Sequence, residues 1–238
     1  MKSTKKKIFD IGMNNGDDTE YYLLKGFDVV SVEANPYLCE MARARFKNAL
    51  DDKTLVILNA AISENNKKIN FYINRINSHW SSLDINWASR GSSPVDKVQV
   101  DSLTLSDIIN SFGLPYYLKT DIEGGDMIVL DQLLANKFTP NFFSIEDCRF
   151  GFEYIEKLIK IGYKKFKLSD QSKVPVMRDN SVEHSFKLGS SGLFGNDLPG
   201  AWISSTDFFC KYEELVRDRK TLKRLAKDSI WWDIHCSI

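Results

Sequence analysis

Apolar residues cluster in short dense runs through the first two-thirds of the chain, and between the runs they recur at helical spacing. The runs Ile8–Ile11, Val29–Glu33, Leu55–Asn59, Tyr116–Asp121, Phe142–Glu146 and Tyr163–Leu168 predict strands. The stretches between them, Thr19–Lys25, Tyr37–Asn48, Leu105–Ser111, Met127–Asn136 and Glu153–Ile161, predict helices. Gly26 and Gly162 stand just past two of these helices, where a left-handed terminating residue is expected, and Pro36 opens a third. Strands bounded by helices in this rhythm make βαβ units, and βαβ units make a parallel sheet.

The expected fold is therefore α/β: a Rossmann-like, doubly wound, mostly parallel sheet of about seven strands with helices on both faces. Two regions break the rhythm. Lys68–Asn74 and Val95–Val100 read as short strands flanking a loop, Arg75–Pro94, that is rich in Ser, Asn and Trp. Ser169–Gly200 is rich in Ser, Gly, Asp and Asn with little periodicity, and such long irregular segments are functional or mobile. Within it, Gly189–Gly200 reads equally as a flap over a cleft or as a connector. Asp207–Asp228 reads as an amphipathic helix or helix pair, followed by Ile230–His235. The expected organisation is a single domain over residues 1–238, with a core at 8–168 and a loop-rich, helical C-terminal extension at 169–238.

Composition narrows the partners. The 238 residues carry 32 basic and 32 acidic side chains, so the basic field of a nucleic-acid binder is missing. No apolar run has the length of a signal peptide or a membrane span, and a membrane partner is not expected. Cys39, Cys148, Cys210 and Cys236 have neither metal nor redox spacing, which points to reduced thiols and a cytoplasmic protein. Oligomeric state has no signature in the sequence.

The chemistry concentrates at strand ends. After the first strand comes Asp10-Ile11-Gly12-Met13-Asn14-Asn15-Gly16-Asp17-Asp18-Thr19, a glycine turn opening a helix. A dinucleotide-binding turn has the pattern G-x-G-x-x-G, with a pyrophosphate on the helix N-terminus. Here asparagines fill the turn, and Asp17 and Asp18 occupy the helix start, where they oppose a phosphate. Such a turn suits a nucleoside that lacks phosphate and carries positive charge, as S-adenosylmethionine does. Glu33 ends the second strand about twenty residues on, placed to accept both ribose hydroxyls. Small residues after the third strand, Ala60-Ala61-Ile62, leave room for an adenine. Asp121, Glu123 and Asp126 surround a glycine pair at the end of the fourth parallel strand.

Taken together, Asp-Ile-Gly-Met-Asn-Asn-Gly-Asp-Asp-Thr, Val-Glu-Ala-Asn-Pro, Asn-Ala-Ala-Ile-Ser, Leu-Lys-Thr-Asp-Ile-Glu-Gly, Val-Gln-Val-Asp-Ser-Leu and Phe-Ser-Ile-Glu occur in the order and spacing of the FkbM-type methyltransferases. These are a branch of the class I S-adenosylmethionine-dependent enzymes, and the chain resembles them over roughly Ile8 to Leu168. The family turn usually has an alanine and an aliphatic residue where Met13 and Asn15 stand. The resemblance implies S-adenosyl-L-methionine as cosubstrate. It places Asp10, Gly12, Asn14 and Gly16 around the methionine part, Glu33 at the ribose, and Ala61 and Ile62 at the adenine, with Asp121 facing the sulfonium end from the neighbouring strand. Asn15, Thr19, Ala34, Asn35, Ala60 and Glu123 are further cofactor-binding candidates.

The resemblance implies O-methylation of a sugar, a glycan or a small hydroxylated metabolite. A hydroxyl acceptor loses its proton as it attacks, so a base is sought. The candidate catalytic residues are Asp121, as an electrostatic or positioning group, with Glu146 and His79; His184 is a weaker candidate. Asp121, Glu123, Glu146 and Asp147 have the oxygen chemistry of a hard-cation site, but the resemblance requires no metal and none is assigned. Trp80 and Trp87, inside a polar loop, are the tryptophans best placed to stack on a sugar. Two alternatives remain open at this point: a nicotinamide-dependent oxidoreductase on the same kind of sheet, and a methyltransferase-like binding module without turnover.

Overall fold

The computed structural model describes residues 5–148, 150–225 and 230–238. The chain runs β1 (Lys7–Ile11), α1 (Asp17–Leu24), β2 (Asp28–Glu33), α2 (Pro36–Arg45), α3 (Lys47–Asp51) and β3 (Leu55–Asn59). A subsidiary unit follows: β4 (Ala61–Ile62), β5 (Lys68–Asn74), α4 (Ile85–Ala88) and β6 (Val95–Leu103). The second half of the sheet is then built from α5 (Leu105–Phe112), β7 (Tyr117–Thr120), α6 (Asp126–Asn136), β8 (Phe142–Glu146), α7 (Gly151–Ile161) and β9 (Lys165–Asp170). The chain closes with β10 (Ile203–Ser204), α8 (Ser205–Leu215) and β11 (Trp232–Ser237).

Among the described residues the main sheet has eight strands in the order β10-β9-β11-β8-β7-β1-β2-β3. The chain builds outward from β1 through β2 to β3, then returns to β7 on the other side of β1. That reversal is a topological switch point, and the helices diverging there leave a crevice at the carboxyl ends of β1 and β7. β1 pairs in parallel with β2 and β7, so both its edges are filled, and with helices packed over the sheet Ile8, Phe9 and Ile11 are fully buried. The small sheet, β4-β6-β5, is a hairpin of β5 and β6 with β4 added in parallel. None of the described helices is long and apolar enough to cross a membrane.

The predicted strands and helices of the first two-thirds are found, with ends displaced by a few residues; Tyr37–Asn48 is divided between α2 and α3 at Phe46. The C-terminal extension differs from its expectation. Among the described residues its one α-helix is α8, with a 3₁₀ helix at Gln171–Val176, and the later part of the predicted Asp207–Asp228 helix includes residues 226–229, outside the described residues. Beyond them, β11 inserts between β8 and β9, antiparallel to both. Its Ile234 and Cys236 are fully buried and join the main core, while Asp233 and His235 are buried too. A strand covered on both faces lacks the alternation that marks a half-exposed one, and its partners lie some 60–90 positions away in sequence.

Gly189–Gly200 is no loose flap. Leu193, Phe194 and Leu198 are buried in a second apolar cluster with Tyr21, Tyr22 and Tyr117, and Phe194 stacks on Tyr117 at 4.2 Å between ring centroids. The segment is a strap bound across the α1 side of the sheet.

Candidate active site

The glycine turn needs its glycine for a measurable reason. Gly12 has φ +85°, and a Cβ there would lie 1.8 Å from the Asp121 carbonyl oxygen, so the turn can press against the end of β7 only with a bare backbone. The Asn14 N–H donates to Glu33 Oε2 at 2.8 Å, and the Asn35 N–H donates to Glu33 Oε1 at 2.7 Å. Glu33 is thereby fixed at the end of β2. Burial pushes its carboxyl above the ordinary range, and the two N–H bonds pull it back in part.

Gly12, Asn14, Asn15, Glu33, Ala34, Ala60, Ala61, Ile62, Asp121 and Glu123 all line one cleft of about 780 Å³, its open side included. The structure thus brings together most of the residues expected to hold a cofactor. It does not bring Asp10, Gly16, Thr19 or Asn35 to that surface. Asp10 is fully buried behind the turn, where Oδ2 accepts from Thr19 Oγ1 (2.6 Å) and Oδ1 from Lys119 Nζ (3.2 Å). Asp10 pairs in register with Lys119 on β7, so the two charges face each other across adjacent strands. Gly16 packs its backbone on the Phe46 ring, and the Asn35 side chain accepts from the Tyr37 N–H to cap α2. These four shape the pocket from behind.

Lys119, whose role the sequence did not reveal, holds the turn: its ammonium donates to the Gly12 carbonyl at 2.9 Å and lies 3.5 Å from Asp18. The paired aspartates also do something different from opposing a phosphate. Asp17 is bonded by Arg45 (2.9 Å) and Lys187 (3.2 Å), and Asp18 accepts the Ser191 N–H with both oxygens (2.9 and 3.0 Å). Burial pushes Asp18 up to about 6, against the pull of Lys119. The pair anchors the strap.

The polar loop between β5 and β6 forms the far wall. Asn74 organises it by donating to the Ala88 carbonyl (2.7 Å) and accepting from the Ile76 and Asn77 N–H groups (2.8 Å each). Ser82 ties it to the Glu123 carbonyl at 2.8 Å. Phe71, Ser78, Ser81 and Leu83 of this region reach the cleft. None was singled out from sequence, because nothing local shows that the hairpin folds back over the sheet edge.

A second cavity opens beside the first, sharing Asp121, Glu123, His79 and Gly189 with it. Its walls include Trp80, Trp87, Trp231, Glu146 and Cys148. The Arg90 guanidinium lies 4.8 Å from the ring centroids of both Trp80 and Trp87 and pairs with Glu123 at 3.0 Å. Trp87 Nε1 donates to the same Glu123 oxygen at 2.7 Å. Burial and the adjacent Asp121 push Glu123 up to about 8, with Arg90 acting against them. Burial, then Asp121 and Glu123, push Glu146 well above the carboxylate range. Asp147 also borders this cavity, but Arg217 and Tyr212 hold its carboxylate. His184 lies at neither cavity; it packs on Tyr21 and Phe186.

Glu123, Glu146 and Cys148 have ligand atoms within 4.8 Å of one another. A cation there would compete with Arg90 and Trp87 for Glu123.

A doubly wound sheet with a glycine-turn cleft at its switch point and an acidic carboxyl edge defines a Rossmann-like architecture of the kind that binds nucleoside cofactors. The family model described as the methyltransferase FkbM domain matches residues 10–178, and the chain belongs to that family. It is similar to the methyltransferase FkbM from Methylobacillus flagellatus KT, at 14% identity and a TM-score of 0.46, covering 70% of this chain and 40% of that one. A precorrin-6y C5,15-methyltransferase from Geobacter metallireducens GS-15 (10% identity, TM-score 0.45) covers 98% of this chain and 80% of its own. The human methyltransferase 10 domain containing protein (8%, TM-score 0.43) covers 99% and 73%. The chain spans two-fifths of the length of the FkbM structure it matches. Among curated proteins, no sequence matches.

Family membership implies S-adenosylmethionine as cosubstrate, and the residues present fit it. The bare-backbone cradle at Gly12, the fixed Glu33 carboxylate and the small wall of Ala60 and Ala61 suit an amino-acid chain, a ribose and a flat base in turn. A nicotinamide oxidoreductase has no support in the family or in the turn.

Proposed function

We propose that this domain methylates a hydroxyl group of a sugar, a glycan or a small hydroxylated metabolite. One observation carries the reading: the cofactor cleft continues, across Asp121, Glu123 and His79, into a cavity walled by three tryptophans and by Glu146, whose carboxylate has no hydrogen-bond partner among the described residues. S-adenosylmethionine, when bound, supplies an electrophilic methyl group. Glu33 accepts the ribose hydroxyls, and Ala60, Ala61 and Ile62 flank the adenine. Asp121, at the junction, stabilises positive charge and orients the reacting groups. Aromatic faces of Trp80, Trp87 and Trp231 bind the apolar face of a pyranose.

Glu146 takes the acceptor proton: burial and the neighbouring acids favour its protonated form, and the positive charge of a bound sulfonium favours the ionised form that a base needs. His79 borders the same junction and is the second candidate.

Calorimetry with S-adenosylhomocysteine tests the cofactor part: binding is expected, and Glu33→Ala is expected to weaken it by about tenfold or more. Labelled methyl transfer to a glycan and metabolite panel tests the rest, with Glu146→Gln lowering kcat by about 10²–10⁴ at unchanged cofactor affinity. A folded sample that ignores S-adenosylhomocysteine ends the methyltransferase reading. Binding without transfer to any acceptor in the panel points instead to a binding module.

A further inference from the structure

The strap contributes one buried polar group that has no hydrogen-bond partner among the described residues. Ser191 is fixed by its N–H on the Asp18 carboxylate, Lys187 reaches Asp17, and Leu193 and Phe194 are buried in the core. On the other flank, Gly189 lies against the His79 ring so closely that an added Cβ would be 3.1 Å from Cε1. Between these fixed points stands Ser190, 6% exposed, lining the cofactor cleft, with a shielded hydroxyl that has no hydrogen-bond partner. A buried hydroxyl is costly to leave unpaired, and a side chain held this firmly at a ligand cleft finds its partner in the ligand.

The position along the cleft identifies which part of the ligand that is. Ser191 is tied to the first turn of α1, directly after the Gly12–Asn15 turn, whereas the adenine wall at Ala60–Ile62 belongs to the far side of β2. Ser190 therefore stands at the glycine-turn end. We infer that the Ser190 hydroxyl binds the amino-acid end of the cofactor, making the strap the fourth wall of that pocket. The strap lies beyond residues 10–178, the part the family model covers. It rests on the reading that the cleft takes S-adenosylmethionine. The doubled Asp17-Asp18 acquires its purpose here: it ties the strap beside the cleft, with Ser190 in the lining.

The test compares two ligands that differ in that end. S-adenosylhomocysteine has the amino-acid group; 5′-methylthioadenosine has the same nucleoside without it. Titration calorimetry of Ser190→Ala is expected to show about tenfold weaker binding of S-adenosylhomocysteine and methylthioadenosine binding within twofold of the parent. Retained methylthioadenosine binding also certifies that the variant is folded. Equal weakening of both ligands, or of neither, overturns the assignment. If the parent protein binds neither ligand, the cofactor reading itself fails, an outcome distinct from a failure of Ser190 alone.

Discussion

Asp10 and Lys119 illustrate how single residues set up this site, Asp10 from behind the ligand surface and Lys119 from its lining. Two carboxylates, Asp10 and Asp18, share one buried ammonium, and the same ammonium holds the glycine turn by its Gly12 carbonyl. Lys119→Met strands both carboxylates and is expected to destabilise the fold by about 3–5 kcal/mol, read as a lowered urea midpoint. Adding Asp10→Asn should recover much of the loss, since removing a buried pair together costs far less than breaking it. An unchanged midpoint for the single variant would show that the charges are not coupled. At this scale the sequence was readable where a place at a strand end puts a residue on the cleft, as for Glu33 and Asp121. It was not readable for Asp10, because spacing does not tell whether a side chain at a strand's carboxyl edge turns to the cleft or to the neighbouring strand.

At the scale of elements, β11 is the instructive case. It runs antiparallel between β8 and β9 and places His235 opposite Lys167 in a fully buried layer. Burial, aided by Lys167, pushes the imidazole down to about 3. The folded state accepts only the neutral ring, whereas an unfolded histidine takes a proton below about 6.5. The stability His235 contributes is complete above pH 6.5 and is lost as the pH falls toward 3. From pH 7 to 5 that loss is about 2 kcal/mol. Asp18 and Asp126, pushed up to about 6 by burial, move in the opposite sense and become less costly on acidification. Comparing the parent with His235→Leu by denaturant melts at both pH values isolates the histidine; an equal pH response in the two proteins would refute it. The strap and the β5–β6 loop belong to this scale as well. Their polar sequences read as irregular loops, and only their docking onto α1 and the turn after β7 turns them into walls.

For the whole molecule, the tail completes a sheet that the first two-thirds of the chain leave open. A chain cut after Leu225 lacks β11, leaving β8 and β9 with unpaired facing edges and the core without Ile234 and Cys236. It is expected to lose cooperative thermal unfolding and near-ultraviolet circular dichroism; a cooperative transition at the parent temperature would show that β11 is dispensable. Such a result would also remove Trp231 from the second cavity without unfolding the protein.

The sequence by itself determined the α/β class, the order of the parallel core and the residues at strand ends that face the cleft, because these follow from local periodicity and from the fixed relation between a strand's end and the crevice beside it. The tertiary structure alone decided the place of β11, the use of Asp17 and Asp18 as anchors, and the arrival of Trp231, His79 and Ser190 at one site. Those depend on contacts between segments some sixty to a hundred and seventy residues apart, whose energies are set by mutual burial and charge pairing and leave no trace in any local stretch of the chain.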